Sequence, residues 1–257
     1  MTTPGPAATV ETFSAVELPL EETMRNGHEM RWGGLAGLAS LVLAIIASIL
    51  LRGAPRITES TNAIASYLFF SRGVILTAVV LAAAAVVLFM WFGATLATAF
   101  RLADPDSDAP AVVLGGFAIT ATTGFLATAM FGGLVHALTT HPMLLALASV
   151  PYSALMVVRA IAGLALALPL AACAVAIVRT EVFPAWAGWF TGFVAAIRVL
   201  GAITVIGGAG VLAPDSVLAA YVPNVLTALW LLVMSGLLVR EHLPSISPQR
   251  RGAVGPA

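Results

Sequence analysis

The sequence predicts an all-α fold: a polytopic transmembrane bundle of six spans with both termini cytoplasmic. Three observations predict it. Hydrophobic residues make up 60% of the 257 and charged residues 9%, where a soluble domain has roughly 45–50% and about 25%, so the composition is that of a chain solvated by lipid. Apolar runs close to the ~20 residues that cross a bilayer recur along the chain. The arginines fall unevenly between alternate connections, which sets an orientation.

Residues 1–24, MTTPGPAATVETFSAVELPLEETM, mix Pro, Thr and Glu without helical periodicity and read as a disordered tail. They carry no basic n-region, so the first span serves as its own targeting signal. A transmembrane domain follows over 25–243, and 244–257 reads as a second disordered tail. Within the domain the spans are 33–51, 73–100, 111–138, 152–178, 185–213 and 217–239, each bounded by Arg, Pro, Asp or an aromatic residue.

Two stretches do not fit a plain threading. RITESTNAIASYLFFSR, 56–72, is too polar at its start to span and too apolar at its end for a free loop, so it reads as an outer interfacial helix that runs on toward the second span. HPMLLALASVP, 141–151, is too short to cross and either lies in the interface, re-enters or lengthens the fourth span. Splitting 142–178 into two spans has no turn signal behind it.

With the N-terminus inside, Arg25, Arg31, Arg101, Arg179, Arg240, Arg250 and Arg251 lie in the cytoplasm and Arg52, Arg56 and Arg72 outside, the asymmetry expected of inner connections. Trp186 and Trp189 then sit at the inner interface and Tyr152 near the outer one, while Trp91 and Trp230, deep in their spans, read as packing residues. The formal charge is zero, so no nucleic-acid partner is expected. All twelve basic residues are Arg, the codon bias of a GC-rich and hence bacterial genome.

The fifth span carries a full charge, Arg198, nine residues from Trp189 and thus about 13 Å deeper, near the midplane of a ~30 Å core. Helical spacing puts Thr191, Val194, Ala195, Gly201, Ala202 and Val205 on its face and Phe193, Ala196, Leu200 and Ile203 on the opposite one, so Arg198 is expected to look inward. Glu181 and Asp215, the nearest acids in sequence, are each about 25 Å away along a helix, which leaves uncharged oxygens, an anion or a lipid headgroup as partners. In the third span Gly116, Thr120, Thr123, Gly124, Ala127 and Thr128 form a small and polar stripe at similar depth. Arg198, Thr120, Thr123, Thr128 and Thr191 are therefore the candidate polar interior site, expected to share one interior. Structural glue, a binding or permeation site, and snorkelling toward lipid all remain readings of Arg198.

Arg159 lies about 10 Å below the outer interface, within snorkelling reach, and with His136 forms a candidate outer vestibule. The GxxxG pairs Gly33/Gly37 and Gly188/Gly192 lie at similar depth, so the first and fifth spans are expected to touch there or to bind another subunit. Pro169 and Pro223 kink their helices or free a carbonyl toward Arg198. Cys173, the single cysteine, reads as a small buried hydrophobe and excludes a disulfide or CxxC pair. No HExxH, GxSxG, paired intramembrane Asp or P-loop occurs, so no catalytic residue, metal or cofactor is expected, and DPDSD, 104–108, reads as a solvated turn.

The segment RTEVFPAWAGWFTGF, 179–193, resembles the Arg-Thr-Gly-x-Leu-Pro-x-Trp-Leu-Gly-Trp connection of uncharacterised polytopic membrane proteins of actinobacteria, with Glu181 in place of the usual Gly and Ala187 in place of the usual Leu. WFGATLATAFRLADPDSDAPAVVLGGFA, 91–118, is similar to the span, Arg, acidic loop and Gly-rich span that precede it there. The resemblance implies a six-span architecture and a bacterial host, and no activity. The functional expectation is a binding or transport-like bundle, or an accessory subunit of a membrane complex, whose partners are the bilayer, an anionic lipid or small anion, or another membrane protein. The alternative is a membrane enzyme that clamps a lipid phosphate with Arg.

Overall fold

A computed structural model of the chain describes residues 14–56, 58–203 and 217–240, with side chains except those of 14–29, 142, 144, 145, 159, 160 and 217–220. The described residues form seven α-helices: α1 Ser14–Leu50, α2 Thr61–Phe70, α3 Arg72–Ala103, α4 Ala109–Thr140, α5 Ser149–Thr180, α6 Ala185–Ile203 and α7 Val217–Val239. Six are long and apolar enough to cross a membrane: Met30–Leu50 of α1, all of α3 to α6, and Tyr221–Val239 of α7. The chain is an all-α, multi-pass membrane protein. At 32 residues each, α3, α4 and α5 are about 48 Å long, which exceeds a ~30 Å hydrocarbon core and leaves length for tilt or projection.

The boundaries follow local chemistry. Ser60 caps α2 by accepting from the Ala63 amide at 3.3 Å, and a bend at Ser71 separates α2 from α3. Within the stretch 56–72 the structure thus places a distinct helix, Thr61–Phe70, that turns directly into the second span. Pro110 opens α4, where its missing N–H costs nothing, and Pro142 follows its end. Over 141–151 the chain makes a 3₁₀ turn at Pro142–Leu147 and then starts α5 at Ser149, so the last part of this stretch lengthens the fourth span. The remainder of the span expected over 185–213 lies, beyond Ile203, outside the described residues.

α1 begins at Ser14 and takes in residues 14–24, Pro19 among them. One expectation needs correction. Trp91 is 52% exposed and stands on the outer face of α3, not in the packing.

The spans close into a ring. Each packs on its neighbour in chain order, α1 on α3, α3 on α4, α4 on α5, α5 on α6 and α6 on α7, and α7 returns to α1. Antiparallel neighbours joined by short connections give this order directly. Aromatic rings from three helices fill the centre: Phe92 of α3 stands edge-on to Trp230 of α7 at 5.8 Å and to Phe117 of α4 at 6.2 Å, and Phe117 stacks on Trp230 at 6.4 Å. All three are fully buried, and Cys173 is enclosed in the same cluster.

Small residues set how close the helices come. A side chain at Gly33 would strike Thr95 of α3, and one at Gly37 would strike Ser235 of α7 and Phe92. Gly188 and Gly192 pack instead on α5, against Ile177, Val178 and Ala174. The two GxxxG pairs therefore do not meet: the first seats α1 between α3 and α7, and the second seats α6 on α5. Similar depth was the basis for pairing them, and depth carries no information about azimuth around the ring.

A smaller cluster closes the end of the bundle opposite Arg31 and Arg101. Ile64 and Leu68 of α2, Ile75 of α3, Val135 and Leu138 of α4, Ala148 and Tyr152 pack together. Tyr152, fully buried, donates its hydroxyl to the Pro55 carbonyl at 2.8 Å and ties α5 to the connection after α1.

Candidate functional site

The 19 residues of α6 divide as the helical spacing requires. Thr191, Val194 and Ala195 are buried and Gly201 and Ala202 half-buried on one side, while Phe193, Ala196, Leu200 and Ile203 are exposed on the other. Arg198 belongs to the first side and is half-buried among α5, α6 and α7. Its Nε donates to the hydroxyl of Thr227 on α7 at 2.7 Å, and that hydroxyl donates to the Pro223 carbonyl one turn away at 2.8 Å. Gly163 of α5 and Gly201 of α6 let neighbouring elements close in: a Cβ on Gly163 would stand 3.7 Å from Arg198 Nη1, and one on Gly201 would stand 3.1 Å from Pro223 Cγ.

Seven residues earlier on the same face, Thr191 repeats the motif with the partners exchanged. Trp230 Nε1 on α7 donates to Thr191 Oγ1 at 2.9 Å, and Thr191 donates to the Ala187 carbonyl at 2.7 Å. Each threonine thus accepts one N–H from the facing helix and passes its own proton to a carbonyl four residues back. Both hydrogen-bonding capacities are used in a medium that offers no water.

Thr120, Thr123 and Thr128 do not join this arrangement. Their hydroxyls donate to the carbonyls of Gly116, Ile119 and Gly124 within α4, each at 2.8 Å. α5 stands between α4 and α6 and packs on both. The stripe that carries these threonines serves close approach: Gly116 lies against Pro169 of α5 and Gly124 against Val86 of α3. The expected common interior with Arg198 is therefore replaced by two separate seams, because a threonine in a helix satisfies itself on its own backbone and needs no polar neighbour.

Near the C-terminal end of α4, His136 is exposed. The Arg159 side chain lies outside the described residues, so a vestibule formed by the two is not described. Pro169 packs its ring on Gly116, and the Pro223 carbonyl serves Thr227 and not Arg198. In the DPDSD connection Ser107 Oγ accepts from the Ala109 amide at 3.2 Å and its own amide donates to the Asp104 carbonyl at 3.3 Å, a self-contained turn. Among the described residues no three of His, Cys, Asp and Glu come together.

Thr227 is the partner that sequence reasoning missed. Its signal was present on α7, where Asn224, Thr227 and Ser235 fall at offsets of three and eleven, one face of a helix that is otherwise apolar in its membrane-crossing part apart from Tyr221. Comparison with protein-family models, with curated proteins and with solved structures found no match to this chain.

Proposed function

We propose that the chain is a binding bundle of the bacterial plasma membrane, transport-like and without chemistry of its own, in which Arg198 recognises an anionic group. The observation that carries this reading is the Nε–Thr227 bond at 2.7 Å. It holds the guanidinium through Nε, and Gly163 of α5 brings backbone beside Nη1 with no side chain between. An arginine at such depth is costly and marks a ligand site by default. The filled aromatic centre argues for a site in the α5–α6–α7 seam in preference to an axial pore.

Both termini are cytoplasmic on this reading, since Arg31, Arg101, Arg179 and Arg240 occupy one end of the bundle. The resemblance of residues 91–118 and 179–193 to actinobacterial membrane proteins supports the same host and membrane.

The test is thermal unfolding of the detergent-purified chain with inorganic phosphate. Phosphate is expected to raise the melting temperature of the wild type and to have no effect on Arg198→Gln. If Arg198 serves only as glue, Arg198→Gln melts lower and phosphate shifts neither protein.

A further inference from the structure

A cavity remote from Arg198 lies on the α1–α3 seam. It is a groove of about 600 Å3 on the outside of the ring, where α1 meets α3, lined by Met30 and Trp32 of α1 and by Trp91, Ala94, Thr95, Thr98 and Leu102 of α3. The α3 residues follow a helical stripe, so the groove runs along that helix for about 16 Å. Trp32 and Trp91 are 51% and 52% exposed, and they form walls that stand out from the bundle. The hydroxyls of Thr95 and Thr98 are turned back to the Trp91 and Ala94 carbonyls at 3.1 and 3.0 Å, which leaves their methyl-bearing sides to an apolar surface.

Deeper than Trp91 the α1–α3 seam is shut. Phe92 lies against Gly37, and the Ser40 hydroxyl donates to the Ala85 carbonyl at 2.7 Å. The groove is thus confined to the end of the bundle that carries Arg31 and Arg101. A transmembrane helix of a partner would need a contact surface along the full depth, whereas an acyl chain with its headgroup at the mouth needs only this wedge. Arg31 is interleaved with two lining residues, Met30 and Trp32, and Arg101 precedes a third, Leu102; both arginines are exposed. Arg101 makes no ion pair with Asp104, Asp106 or Asp108 in the connection beyond it. Cationic side chains at the mouth of an apolar wedge, with Trp32 beside Arg31 and Trp91 deeper along α3, complement a phosphate headgroup over its chain.

We propose that this groove is a binding site for one anionic phospholipid of the adjacent leaflet, its chain between Trp32 and Trp91 and its phosphate held by Arg31 and Arg101. The site is independent of Arg198.

Native mass spectrometry of the full chain, titrated with equimolar phosphatidylglycerol and phosphatidylcholine, tests it. Phosphatidylglycerol is expected to be retained preferentially, with about fivefold weaker binding for each arginine neutralised in Arg31→Gln and Arg101→Gln. The paired Lys variants are expected to keep the preference, and Thr98→Trp, which fills the wedge, to lose it while Arg198→Gln does not. Equal retention of the two lipids, or a preference that survives Arg31→Gln with Arg101→Gln, overturns the proposal. So does efficient disulfide dimerisation of Trp91→Cys in phosphatidylglycerol vesicles, which assigns the groove to a second copy.

Discussion

The indole of Trp230 donates to the hydroxyl of Thr191 at 2.9 Å across the α6–α7 seam, and the guanidinium of Arg198 donates to the hydroxyl of Thr227 at 2.7 Å across the same seam in the opposite sense. Together the two bonds fix both the register and the rotation of α7 against α6. Thr191 and Trp230 are fully buried, so neither has water as an alternative partner.

Replacing Thr191 by Val keeps the shape and strands the Trp230 N–H. Interhelical hydrogen bonds in membrane proteins average about 0.6 kcal/mol and reach about 1.7. Complete burial places this one toward the upper end. Thr191→Val is expected to destabilise by about 1–2 kcal/mol in detergent unfolding and Thr191→Ser by much less. A double-mutant cycle with Trp230→Phe isolates the coupling.

The Arg198–Thr227 bond uses Nε, a nitrogen that lysine lacks. Arg198→Lys is therefore expected to behave like Thr227→Val in a stability cycle, each losing about 1 kcal/mol, with little further loss when combined. Additive losses would show that the two side chains act separately.

Glycines divide sharply by position. At Gly37 a methyl group has no room between Phe92 and Ser235, whose buried hydroxyl has no hydrogen-bond partner. Gly37→Ala is expected to cost about 1–3 kcal/mol through overpacking, as α1 is pushed off α3 and α7. Gly133→Ala, where nothing lies within 4 Å, is expected to be neutral or to gain up to about 1 kcal/mol from helix propensity. Thermal melts of the two variants side by side check the contrast.

The spans were legible because membrane helices obey length and hydropathy, and the inward face of α6 was legible because period 3.6 sorts Thr191 and Val194 from Phe193 and Leu200. Which helix that face meets was not. Thr120, Thr123 and Thr128 offered the most hydroxyls at matching depth, but a hydroxyl count ignores the i−4 carbonyl that satisfies each one. Thr227 carried a weaker signal, because one threonine among apolar residues announces itself only through its alignment with Asn224 and Ser235. Ring order, which places α7 beside α6 and α1, is a property of the whole chain and not of any window.

Glu181, at the end of α5, adopts φ 53°, a left-handed conformation that favours glycine, and no other described non-glycine residue has positive φ. Glu181→Gly is expected to stabilise the chain by about 1 kcal/mol, read as a higher melting temperature, since it relieves a backbone cost of roughly 1–2 kcal/mol and gives back part of that in unfolded-state entropy.

Tyr67 of α2 lies with its ring edge 4.0 Å from the space above Gly53, and its hydroxyl is buried with no hydrogen-bond partner. Burial pushes its pKa above the ordinary 10 because the phenolate would lose its hydration. Below pH 10 the folded and unfolded chains both hold the neutral phenol, and the group contributes no pH dependence. As pH rises through 10 the unfolded chain ionises first, so folding stability falls until the folded phenol ionises as well. Tyr67→Phe removes both penalties. It is expected to raise stability at pH 7 by about 1 kcal/mol, the cost of an unpaired buried hydroxyl, and to abolish this part of the alkaline decline. Melting temperatures of the two proteins from pH 8 to pH 11 check it: a constant gap between the curves would mean that Tyr67 does not titrate differently on folding, and a lower melting temperature for Tyr67→Phe at pH 7 would mean that the hydroxyl has a partner after all.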